Sequence, residues 1–388
     1  MLGGTYFKGD LEAFQVVNAA FANTSRSEFQ RSDTESLSIF GQVDWAINDQ
    51  LSLGVGARFT DEDRNGAKAQ AQAPLYGTIP NTLDNPATGA GCGPGFRACT
   101  NGDGSPIRGS LNDSSLSYNA ALQYRTNESN MFYVSVATGF KSGGFDLRGA
   151  GNPDKFVFPE EESINYEIGG KHTLADGAVR LNWTVFNLEV DDLQVSTNDP
   201  VLIQQVVGKA QVTSKGIEID GAWAASDALA LTFTAALLDS EFDQFTSECH
   251  AGQTAATGCS GGLFVQDGLT LPQAPEKQLV LGATYTWDLN NGMDLTFGGR
   301  YSYLDDYHVT LPRDPAGFQD AVSRIDASLT LTGTTSGNKN WSVALVGRNL
   351  GDEVVRNWCN SSGLSGGGVV SCSVEQTRYL SLRSTLNF

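Results

Sequence analysis

The sequence predicts an all-β fold, a transmembrane antiparallel β-barrel, and three observations predict it. Apolar and polar residues alternate in runs of roughly 9 to 15 residues. The connections between those runs alternate short and long along the whole chain. One face of the runs carries more charge than a dry core tolerates, because each unpaired buried charge costs several kcal/mol. Composition agrees: 44 Gly and only 3 Met among 388 residues suit strands and turns rather than helices. No apolar run reaches the roughly 18 residues a membrane helix needs. Mean hydropathy slightly below zero decides nothing, since half of every barrel strand is polar.

The strands are expected near residues 2–9, 34–47, 51–62, 115–126, 130–141, 161–174, 178–195, 210–224, 228–241, 276–288, 293–306, 320–332, 341–351 and 377–388. In 34–47, Leu37, Ile39, Val43 and Trp45 share one face, and Ser38, Phe40, Gln42 and Asp44 the other. After Asn48-Asp49-Gln50 the pattern resumes: Leu51, Leu53, Val55 and Phe59 alternate with Ser52, Gly54, Arg58 and Thr60, which makes a hairpin. Further along, 115–126 sets Tyr118 and Tyr124 against Arg125. Glu167 and Lys171 take the polar face of 161–174, Arg180 that of 178–195, and Glu218 and Asp220 that of 210–224. Arg300, then Arg324 and Asp326, then Arg348, then Arg383 continue that face through the last four charged strands. The apolar face carries Trp183, Trp223, Tyr285, Trp287, Tyr301, Tyr303 and Trp341 near strand ends, as membrane-interface girdles require.

Long connections are expected near 10–33, 63–114, 142–160, 196–209, 242–275, 307–319 and 352–376, with short turns between them. Segregation of this kind marks the extracellular and periplasmic ends of an outer-membrane barrel. A sandwich has no reason to sort its loops by length, and a propeller would repeat every four strands. The charged face implies a wet lumen, or one filled by a polar partner.

A net charge of -19 argues against nucleic acid as a partner. The six cysteines fall in three local pairs, Cys92/Cys99, Cys249/Cys259 and Cys359/Cys372, one per expected long loop. The pairing favours loop disulfides in an oxidising compartment. Zinc is the rival, but no pair has Cys-x-x-Cys spacing and only His250 lies near one. No metal site, resident cofactor or catalytic motif is expected. Asp191-Asp192 and Asp305-Asp306 read as solvated strand ends, with Ca²⁺ ligation or hydrolytic acids as the sharper alternatives. No basic-then-apolar export signal opens the chain, so a natural full-length protein is expected to begin upstream. The last strand ends on Phe388, with Leu380, Leu382 and Leu386 on its face. It resembles the signal that outer-membrane barrels present to their assembly machinery, so a natural C-terminus is expected here.

Several segments resemble the barrel of TonB-dependent receptors. They are 38–43, Gly54–Thr60, Tyr133–Phe145, Glu161–Gly169, Lys215–Asp220 and Gly347–Glu353, together with the terminal strand. Gly139–Phe145 followed by Pro159-Glu160-Glu161 is the most specific match. The family barrel has about 22 strands around a plug. The 14 expected here would be the last of them, with the plug and any TonB-contacting segment lying outside the sequence. The resemblance implies multi-pass residence in the outer membrane and TonB-energised uptake of a scarce ligand, a ferric siderophore or similar iron complex. TonB would act through the absent plug. Within the barrel, the twelve charged residues Arg58, Arg125, Glu167, Lys171, Arg180, Glu218, Asp220, Arg300, Arg324, Asp326, Arg348 and Arg383 would face the lumen or plug. Lys141, Phe145, Arg148, Tyr307 and His308, in two outer loops, are the candidate ligand contacts, because cationic and aromatic groups suit an anionic aromatic chelate. The competing readings are a self-contained 14-stranded passive channel, a non-functional receptor fragment, and an outer-membrane enzyme with rim acids as catalysts.

Overall fold

A computed structural model describes residues 1–19, 24–74, 106–146, 153–199, 204–250, 252–290, 292–335, 337, 339–361 and 370–387. Fourteen strands form one sheet, and each pairs with its neighbours in sequence. They are β1 (Leu2–Ala19), β2 (Thr24–Ala46), β3 (Leu51–Pro74), β4 (Ile107–Asn127), β5 (Asn130–Lys141), β6 (Glu161–Leu174) and β7 (Val179–Asp199). The second half comprises β8 (Gln204–Ala224), β9 (Leu229–Gln244), β10 (Lys277–Asp288), β11 (Met293–Leu304), β12 (Val322–Thr334), β13 (Asn340–Arg348) and β14 (Tyr379–Leu386). Every pairing is antiparallel. Among the described residues no ladder joins β1 to β14, so both keep an open edge.

Six strands run four or more residues past their expected ends, always on the long-loop side. β1 continues to Ala19 and β2 begins at Thr24, so 10–33 is mostly a hairpin rather than a loop. β3 reaches Pro74 and β4 starts at Ile107, which shortens 63–114; β7 and β8 likewise absorb most of 196–209. The outward face explains why alternation did not reveal these extensions. On β9 it reads Leu229, Leu231, Phe233, Ala235, Leu237, then Asp239 and Glu241; its partner β8 changes from Ile217 to Lys215 at the same level. On β3 the change comes between Phe59 and Asp61, and on β1 and β2 between the Tyr6–Leu37 and Lys8–Glu35 pairs. Above that line both faces meet water, so nothing enforces apolar alternation, while the backbone ladder continues unchanged. Leu229 to Leu237 spans about 26 Å of strand, or about 20 Å of height at a ~40° tilt, close to the ~25 Å apolar band of such barrels.

Ladder register gives the second test of the pattern. Arg125 stands opposite Met131, Met131 opposite Lys171, Lys171 opposite Asn182, and Asn182 opposite Asp220. The row continues through Thr234, Val280 and Ser302 to Arg324. Counting by twos from this row puts all twelve charged residues on one face. Tyr118, Tyr124, Trp183, Trp223, Tyr285, Trp287, Tyr301, Tyr303 and Trp341 fall on the other. The outward apolar side chains stay exposed, Leu382 at 73% and Leu345 at 53%, which a membrane face requires and a soluble surface would not sustain.

Candidate functional site

Four loop segments at the long-loop end are structured and together are called the roof; side-chain contacts join the second, third and fourth. Each holds a short two-stranded ribbon: Gly144–Phe145 with Val157–Phe158, Thr246–Glu248 with Leu263–Val265, Tyr307–His308 with Phe318–Gln319, and Arg356–Ser361 with Val370–Val374. Two are closed by disulfides, Cys249–Cys259 and Cys359–Cys372, with Cα separations of 5.8 and 4.0 Å. Cys92 and Cys99 lie outside the described residues.

The loop after β5 is pinned from several sides. Gln194 Nε2 donates to Ser142 O at 3.0 Å and to Pro159 O at 3.1 Å, which ties its two ends together. Arg64 donates to Gly143 O at 2.8 Å. A side chain at Gly143 would place its Cβ 2.7 Å from Phe158 O, so the Gly-Gly of the Gly139–Phe145 motif is a close-approach requirement. Phe145 is buried at 9% exposure, stacks on Phe156 at 5.3 Å and lies against Ile107. It also fills the space a side chain on Gly66 would take. Its ring is engaged in packing within this loop. Lys141 is exposed, with Nζ 3.7 Å from Glu161. Arg148 lies outside the described residues.

Tyr307 and His308 sit on the second side of the roof. Tyr307 OH donates to Arg356 O at 3.5 Å, and Arg356 N donates to Gln319 Oε1 at 2.8 Å, which joins the third ribbon to the fourth. His308 packs edge-on against Phe318 at 5.0 Å, and its Nδ1 is buried with no hydrogen-bond partner among the described residues. Burial, reinforced by the Arg313 cation, holds its pKa below the ordinary imidazole value. Lys141, at the end of β5, and the Tyr307–His308 pair therefore lie in different segments, and no described contact joins them.

Sequence reading missed the residue that binds the second ribbon to the third. Gln266 is fully buried; its Nε2 donates to Ser247 Oγ at 2.8 Å and Leu311 O at 2.6 Å, and its Oε1 accepts from Arg313 Nε at 3.1 Å. Arg313 also donates to Thr270 O. Beneath this latch Phe242, Phe245, Ala210 and Val212 form a small apolar core with Leu271 and Leu311. A Gln and an Arg far apart in polar loops carry no sequence signal that they meet.

On the charged face, Arg348 donates to Asp326 at 2.8 Å and Arg324 to Glu375. Tyr133 OH, another unforeseen participant, meets Thr184 Oγ1 at 3.0 Å and Glu167 at 3.5 Å. The rim acids are occupied. Asp305 takes Lys277 at 3.1 Å and Tyr303 OH at 2.9 Å, and Asp192 takes Lys209 at 3.3 Å. The Lys277 hydrogen bond holds the Asp305 carboxyl below the usual range, the opposite of what a catalytic acid needs. Among the described residues no three His, Cys, Asp or Glu side chains are placed to hold a metal ion.

The whole chain superposes on solved receptor structures. The ferric yersiniabactin uptake receptor FyuA from Yersinia pestis matches at a TM-score of 0.68 and 16% identity, over 100% of this chain and 54% of that one. The ferric-catecholate import receptor Fiu from E. coli matches at 0.62 and 13%, over 100% and 55%. The ferric preacinetobactin receptor BauA from Acinetobacter baumannii matches at 0.56 and 14%, over 100% and 59%. Among curated proteins the pesticin receptor of Yersinia pestis is 23% identical over 246 residues, 62% of this chain and 32% of its own length. The chain thus spans about a third of that curated relative and a little over half of those solved receptors. The family model described as "TonB dependent receptor-like, beta-barrel" matches residues 1–350. The chain therefore belongs to the TonB-dependent receptor β-barrel family of outer-membrane receptors.

Proposed function

We propose that this chain is the wall and roof of a receptor that takes up a scarce iron complex across the outer membrane, driven by TonB. The observation that carries the reading is the two-sided register. One face is apolar over a membrane's height, the opposite face bears twelve charged residues, and a structured roof sits above them. The charged face is the lumenal one. In this reading a plug outside this sequence fills the lumen and receives the pull of TonB. The C-terminal strand recruits the assembly machinery, and Phe388, which lies outside the described residues, is proposed as part of that signal. Lys141 and Arg148 on one loop, and Tyr307 and His308 on another, are proposed to meet the ligand, with Phe145 positioning the first loop from below.

The open edges of β1 and β14 favour this reading over a self-contained channel. Unpaired strand edges in a bilayer leave backbone groups without partners, at several kcal/mol each, so further strands are needed to close the wall. The test is ⁵⁵Fe uptake from ferric-chelate mixtures by iron-starved source cells, with and without the gene and with and without a protonophore. Gene-dependent uptake abolished by the protonophore supports the reading. Uptake that persists without the energy source points to a passive channel, and no gene dependence overturns iron transport.

A further inference from the structure

The short-turn end of the lumenal face holds a cavity of 570 Å³ whose lining includes Arg125, Lys171, Arg180, Asn182 and Asp220. Register explains the convergence. Arg125, Met131, Lys171 and Asn182 stand opposite one another across β4, β5, β6 and β7, and Arg180 lies two residues from Asn182 on the same face. Neighbouring strands are about 4.8 Å apart and diagonal neighbours about 7–8 Å, so three long cationic side chains reach one small volume. Among the described residues none of the three has a carboxylate within ion-pair distance, whereas Lys141, Lys209, Lys215, Lys277, Arg324 and Arg348 each do. Arg125 donates to Gln123 at 3.3 Å. The two acids at the cavity are placed otherwise: Asp220 accepts from Asn182 at 2.9 Å, and Glu128 sits on the 127–130 turn. In a chain of net charge -19, three cations gathered without acidic partners mark a place built for an anion from outside.

We propose that Arg125, Lys171 and Arg180 form an anion-binding station at the short-turn mouth of the lumen, and that it takes a small polyanion bearing carboxylate or phosphate groups. The volume falls in the range of small-molecule sites. The surrounding backbone is committed to the sheet ladders, so the wall offers point contacts from side chains and none of the main-chain pairing an extended peptide would use. The station deepens the uptake reading, since it would hold an anionic cargo last before release. Binding to the purified receptor needs no transport, however, so failure of the station and failure of that reading are separately visible.

The test is calorimetric titration of citrate into the detergent-solubilised receptor that carries this chain, at about 10 mM ionic strength, where the screening length is ~30 Å. The expected result is one citrate per chain. Arg125→Gln, Lys171→Gln and Arg180→Gln should each weaken binding about fivefold, and the triple variant should lose it, while Lys215→Gln on the outer face stays within about twofold. Heat-modifiable gel mobility confirms that each variant is folded. No citrate binding by the wild-type receptor overturns the proposal, and so does an equal loss in Lys215→Gln. If hexaglutamate binds through these three residues and citrate does not, the station holds an acidic polypeptide segment and the small-anion assignment is wrong.

Discussion

Replacing Gln266 with Leu should unlatch the roof without unfolding the wall. The change keeps the approximate volume and removes three hydrogen bonds at a site that water does not reach. A typical bond contributes about 1 kcal/mol net, and a buried group left without its partner costs about 1–3 kcal/mol. Leu311 O and Arg313 Nε are the groups left behind. Arg313 is half-buried and keeps Thr270 O, so it belongs at the low end of that range. The total is about 3 kcal/mol, equivalent to a ~100-fold rise in the population of the open roof. Hydrogen exchange at Val309 and Gly317 reads this opening directly, because their amides donate to Gly317 O at 2.9 Å and Asp314 O at 2.8 Å. The predicted outcome is exchange at these two amides about 100-fold faster, with β10 and β11 amides unchanged. Exchange within about threefold of wild type would show that the apolar core under the latch, and not Gln266, holds the loops together.

Other consequences follow from the same structure. His308 titrates lower in the closed roof than when exposed, so the open state binds the proton first; the roof's stability is full above the ordinary imidazole range and declines as pH falls through it. The opening constant at Val309, taken as its exchange rate divided by the intrinsic rate of a free amide at the same pH, should therefore rise below about pH 6.5, and His308→Gln should flatten that profile; a profile identical in both proteins would exclude His308 as the cause. Phe145→Ala removes a buried aromatic worth about 3 kcal/mol or more, so limited proteolysis should cut near Asp146–Phe156 in the variant while sparing the wild type. On the lipid face, Ile219→Arg should cost about 2–4 kcal/mol in a bilayer-refolding titration, whereas Asp239→Arg, above the apolar band, should cost under about 1 kcal/mol; equal costs would place the band elsewhere.

What was legible in the sequence is what lipid enforces. Strand faces, turn positions and both girdles follow from alternation that holds only where one side meets hydrocarbon and the other water. Asp63 onward on β3 escaped notice because both sides there are wet, and polar residues are then acceptable at every position. The roof was illegible for a different reason. Phe145 rests over Gly66, and Arg313 finds Gln266 and Thr270, through contacts between distant loops that no local period records. The Gly139–Phe145 motif was recognisable, but the buried position of Phe145 was not, because an aromatic residue in a loop reads equally well as contact or as anchor.

The most direct test of the account is a nitroxide scan of residues 213–223 on β8 in outer-membrane vesicles, measuring relaxation by oxygen against a water-soluble nickel chelate. The account predicts oxygen access at Ile217, Ile219 and Trp223, nickel access at Gly216, Glu218 and Asp220, and a return to nickel access at Lys215 and Thr213, where the outward face leaves the membrane. Uniform water access along the strand, or oxygen access persisting through Thr213, would contradict it.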